Sequence, residues 1–184
     1  MILSELKEKR PPFDARTIAL VAIMTATIEV AKLVLAVLPN IEVVTLLCAL
    51  YGYVFGWYGV LAAGLFVCLE PMIWPIGTWV ATYFIYWPLV AMVFMLLSRA
   101  KIKGRLPLTA TALGLTIFFG VLSSAIDATV YGFTVSYFKN FVLNYIRGIP
   151  FYFNQMICNA AVFPTLFPFL AKKLGEIKTQ FFTH

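Results

Sequence analysis

The chain has 184 residues, and its acidic and basic side chains are eight carboxylates, fourteen Lys or Arg and one histidine. Few of them fall inside its long apolar stretches, and those few define what chemistry is open. Glu29 and Lys32 stand at i, i+3 within one such stretch, on neighbouring positions of a helix surface. Either they neutralise each other and hold their helix to the bundle, or Lys32 presents its ammonium to a ligand. Asp127 precedes Tyr131 by four residues, and Phe151, Gln155 and Asn159 repeat that spacing, so each set shares a helical face. Trp79, Tyr83, Tyr86 and Trp87 form a third stripe at i, i+4, i+7 and i+8. An aromatic stripe alone is equally a membrane-interface belt or core packing. Three stripes at one depth, with Asp127, Gln155 and Asn159 among them, describe a pocket with aromatic walls and a few placed polar groups. That is what a small organic ligand requires.

Other chemistries lack their residues. No Gly-x-x-x-x-Gly-Lys-Ser/Thr phosphate loop occurs, which removes ATP hydrolysis by that route. The only histidine is His184, so His-based metal sites, His proton relays and a Ser–His nucleophile have no candidate within the apolar stretches. The acids are scattered one per region rather than converging, so a binding protein is expected and not an enzyme. Cys48, Cys68 and Cys158 sit singly without metal-ligand spacing and read as small hydrophobes. No metal and no cofactor is expected.

The elements that position these residues follow from the composition. Hydrophobic residues make up 62% of the chain and charged residues 12%, more apolar surface than a water-soluble domain of this length can hide. About six apolar stretches are expected to be helices in a bilayer, and at roughly 20 residues each they take about 120 residues. The expected fold is an all-α integral membrane protein: one compact six-helix transmembrane domain over residues 1–184. The spans are placed at about 17–38, 43–57, 60–69, 79–97, 108–133 and 149–170. The second and third are short and punctuated by Gly52, Gly56, Gly59 and Gly64, and the Pro-rich run from Glu70 to Gly77 reads as a loop. No signal peptide is evident in the polar N-terminal segment.

Basic residues set the orientation. Lys7, Lys9, Arg10 and Arg16 precede the first span, Arg99, Lys101, Lys103 and Arg105 separate the fourth from the fifth, and Lys172, Lys173 and Lys178 follow the sixth. With six spans these clusters share one side, the cytoplasm, together with the tails at about 1–15 and 172–184. A prokaryotic plasma membrane is the expected location. The net charge of +6 then needs no nucleic-acid partner. The stripes fall toward the outer side, where loops carrying Asn40, Trp74 and Arg147 would close over a ligand. Ala19, Ala22 and Ala26 give the first span a small-residue face that admits another helix closely.

This layout resembles a substrate-binding S component of an energy-coupling factor vitamin transporter. The local likeness lies in Leu38-Pro39-Asn40-Ile41-Glu42 and in Tyr145-Ile146-Arg147-Gly148-Ile149-Pro150-Phe151, followed by Asn154, Gln155 and Asn159. The resemblance implies a high-affinity vitamin site on the outer side and docking onto a transmembrane coupling subunit that carries two ATPases. It also implies that Ala22 and Ala26 belong to the docking face. The second segment is most similar to S components for cobalamin; pantothenate, folate or a modified-base precursor are the alternatives, each offering an anionic group to Lys32, Lys139 or Arg147. A structural or regulatory membrane subunit is the rival from another class, and it expects Asp127, Gln155 and Asn159 to be satisfied by neighbouring helices. A secondary transporter is disfavoured because the two halves show no inverted repeat.

Overall fold

The computed structural model describes residues 14–36, 43–131 and 136–183, and every regular element among them is helical. In chain order these are α1 (Ala15–Leu35), α2 (Val44–Phe55), α3 (Trp57–Ile73), α4 (Trp79–Arg99), α5 (Arg105–Tyr131) and α6 (Tyr137–Thr183). Three of them, α1, α4 and α5, are long and apolar enough to cross a membrane. Their outward surfaces remain apolar, with Ile23, Val34, Phe84, Ile85 and Ile117 all exposed. Asn40 lies outside the described residues.

α2 is the centre. Ten of its twelve residues are buried, as expected of a helix that is hydrophobic all round, and it packs against α1, α3, α4 and α6. Close approach requires glycine at two points. A Cβ at Gly52 would stand 2.0 Å from the Ala91 carbonyl oxygen of α4, and one at Gly59 would stand 2.2 Å from the Tyr51 carbonyl carbon. The reversal from α2 to α3 is made by a single residue, Gly56, at φ +63°, a conformation that costs side chains but not glycine. Of the four glycines expected to break this region, Gly56 alone does so.

Two expectations about connectors are corrected. The run from Glu70 to Gly77 is not a loop throughout. α3 continues through Pro71 to Ile73, and Trp74 N–H closes its last turn on the Glu70 carbonyl at 2.9 Å. Proline deletes one donor, but here it falls within the last turn, where few bonds depend on it. Nor is 136–147 an open connector: it is the first part of α6, a helix of 47 residues. At 1.5 Å per residue that is about 70 Å of helix, more than twice a hydrocarbon core of about 30 Å.

Opposite ends of the bundle differ in chemistry. At one end the Lys178 ammonium donates to the Val54 carbonyl at 2.8 Å and the Tyr53 hydroxyl donates to the Ile102 carbonyl at 2.9 Å. Asp14, Arg16 and Thr17 of α1 meet Phe181 and Phe182 of α6 there. Asp14 caps α1 by accepting from Thr17 N–H at 2.8 Å, and that bond holds its carboxyl below the usual range. The start of α1, the connector between α4 and α5 and the end of α6 therefore gather at this end, and with them Arg16, Arg99, Lys101, Lys103, Arg105 and Lys178. The other end carries the close of α1, the close of α3 and the 74–78 turn.

Gly52→Ala is expected to lower stability by about 1–3 kcal/mol through overpacking, read as a lower thermal-unfolding midpoint in detergent. Gly64→Ala, where a Cβ meets nothing within 4 Å, should leave the midpoint unchanged or raise it. Equal midpoints for the two variants would contradict the backbone contact between α2 and α4.

Candidate ligand-binding site

Lys32 sits in the last turn of α1, where a cation meets the negative end of the helix dipole. Its ammonium does not pair with Glu29. It pairs with Glu70 of α3, whose side chain is fully buried. Because α3 continues through Pro71, Glu70 is a helical residue, and it lies on the buried side of α3. Rings enclose the ammonium as well: its Nζ lies 5.2 Å from the Tyr83 centroid, 5.7 Å from Trp74 and 5.8 Å from Phe66. These are cation–π distances.

A cavity of about 290 Å³ opens here between α1, α3, the 74–78 turn and α4, lined by Lys32, Glu70, Trp74, Pro75, Trp79 and Tyr83. Its walls are held in place. Trp79 Nε1 donates to the Pro75 carbonyl at 3.0 Å, and the Thr78 hydroxyl donates to the Asp127 carboxylate of α5. Trp79, Tyr83 and Trp87 meet edge to face in series, with centroids 5.1 and 5.5 Å apart. Behind them Tyr86 and Trp87 are buried, and Tyr86 meets Phe119 of α5 at 4.8 Å.

Glu29 is 7% exposed, and neither of its oxygens meets a donor. It lies within electrostatic reach of both Lys32 and Glu70. Glu70 Oε1 likewise meets no donor. Two carboxyl groups and one ammonium thus share a buried corner at the end of the bundle opposite Lys178.

Of the residues singled out in the sequence, Lys32, Trp74, Trp79 and Tyr83 come together in this cavity. Asp127 stands one step away, fixing the turn. The others lie elsewhere. Gln155 Nε2 donates to Thr45 Oγ1 of α2 at 3.4 Å, and Asn159 Nδ2 donates to Thr116 Oγ1 of α5 at 2.9 Å. Both are buried ties between helices. Tyr131, Arg147 and Phe151 are exposed, and so are Lys139 and Cys68. Glu70 and Phe66 were missed. The signal for Glu70 was available in its placement: four residues before Trp74 and 38 beyond Lys32, it is the one acid between Glu42 and Asp127. Among the described residues no three of His, Cys, Asp and Glu come together as metal ligands.

No protein-family model, curated protein or solved structure matches the chain. The fold and the site define its class by themselves: an all-helical protein with membrane-crossing character and a charged, aromatic cavity at one end.

Removing one partner of a buried pair strands the other, at a cost of about 3–5 kcal/mol, whereas replacing both with apolar residues is often neutral. Lys32→Met should therefore lower the unfolding midpoint sharply, and adding Glu70→Met should restore much of the loss. An additive double variant would show that the two charges do not interact.

Proposed function

We propose that this chain is a membrane-embedded binding subunit for uptake of a small organic molecule, of the S-component type. Six spans with cytoplasmic termini form part of that proposal. The observation that carries it is the cavity, set among buried charges and aromatic rings at the end opposite the basic clusters. Under positive-inside orientation this end faces outward, where an uptake protein meets its ligand. Ala19, Ala22 and Ala26 are exposed on α1, which supports a docking role toward a transmembrane coupling subunit with two ATPases. The ligand is proposed to be a vitamin. A volume of about 290 Å³ stands at the small end of the roughly 300–1,000 Å³ typical of organic-ligand sites. Compact vitamins therefore fit it better than cobalamin does.

A second reading, a structural or regulatory subunit without a ligand, draws support from Asp127, Gln155 and Asn159, each of which is bonded within the bundle.

Mass spectrometry of small molecules co-purifying with the solubilised protein separates the two readings, because the second expects none. For the molecule recovered, Tyr83→Ala is expected to weaken binding at least tenfold by calorimetry, about 1.4 kcal/mol, while Asn159→Ala lowers stability and spares affinity. Wild-type affinity in Tyr83→Ala would place the site elsewhere. Docking has its own expected outcome. Ala22→Trp with Ala26→Trp should abolish co-purification with the coupling subunit and leave ligand binding intact, since bulk blocks close helix approach. For orientation, a cysteine at position 102 in a Cys-free background should resist impermeant reagent added outside intact cells; labelling there would reverse the assignment.

A further inference from the structure

We infer that the cavity takes a small organic cation, whose positive group occupies the place now held by the Lys32 ammonium. The inference rests on the cavity being the ligand site and adds the charge of the ligand. Three features converge. Phe66, Trp74 and Tyr83 surround a single point at 5.2–5.8 Å, and rings so arranged attract a cation through their negative faces. Beside that point Glu70, fully buried and lining the cavity, has an oxygen that meets no donor. Behind it Glu29, 7% exposed, has two more. Two carboxyl side chains thus stand beside one ammonium at this corner, so acidic groups outnumber the cation there.

Lys32 is unsuited to receive an anion. Its charge is already met by Glu70, and an incoming carboxylate or phosphate would have to displace one buried acid and sit near a second. An incoming ammonium displaces a like charge instead and takes over its pairing with Glu70. Lys32 is 21% exposed at its side chain and rides on a flexible four-carbon stem, so its head group can withdraw toward the opening. Paired with Glu70, it acts as a tethered stand-in that a ligand's cation replaces. The cavity has room for a compact cation beside one ring, and Trp79 and Tyr83 supply the wall on which it lies.

A matched series tests this on the purified wild-type protein in nanodiscs: benzylammonium, benzyl alcohol and benzoate at constant ionic strength, followed by tryptophan fluorescence with empty nanodiscs subtracted. Benzylammonium is expected to bind at least tenfold more tightly than either of the others. Glu70→Gln and, separately, Glu29→Gln should each reduce that preference, the first by tenfold or more; the wild-type series decides even if a variant does not fold. Benzoate binding as well as benzylammonium, or better, would overturn the cation assignment and leave the cavity as the binding site. Absence of binding by all three would overturn both.

Discussion

A helix of twelve residues reaches about 18 Å at 1.5 Å per residue, too short for a hydrocarbon core of about 30 Å. Its ends, in lipid, would leave peptide groups without partners. α2 is such a helix, so protein must enclose it, and the arrangement of the other helices follows from that need. α3 folds back along it after one residue, α4 approaches it to backbone contact at Gly52, and α1 and α6 cover what remains. The cavity is a product of this packing. Once α3 and α4 are drawn against the same short helix, their far ends converge with α1 and bring Glu70, Tyr83 and Lys32 to one corner.

That corner concentrates the energetic risk of the molecule. A buried charge is costly unless paired, and Lys32–Glu70 is the only ion pair among the described residues with a fully buried member; the other, Lys173–Glu176, is exposed. The rings around the ammonium replace part of the hydration it gives up. Stability and recognition draw on the same groups here, so the site is stiffened by its own counter-ion and is least comfortable where Glu29 stands without a donor.

Much of the architecture was legible in the sequence, because long apolar runs without charges identify membrane helices whatever surrounds them. The six helices and the polar-aromatic stripes were read from residue type alone. What failed was punctuation. Proline marks a break in most sequences, yet Pro71 sits where a helix is ending anyway, and α6 contains Pro150, Pro164 and Pro168. Spacing along one helix also cannot say which neighbour its face meets. Glu29 and Lys32 were adjacent in sequence, but the partner of Lys32 came from 38 residues away. In the same way Gln155 and Asn159 met other neighbours: Thr45 and Thr116 claim them, and neither lines the cavity.

Order of synthesis gives the enclosure of α2 a further meaning. The centre of the bundle is made early, yet two of its ties come from the last helix: Thr45 is met by Gln155, 110 residues later, and the Val54 carbonyl by Lys178, 124 residues later. Until α6 emerges, α2 lacks part of its cover and Thr116 lacks Asn159. Local turns and the α2–α3 reversal can form as the chain appears, but the core cannot close until its final segment is delivered. A chain cut short before α6 is left with an open centre, which makes this helix the step that commits the bundle to its fold.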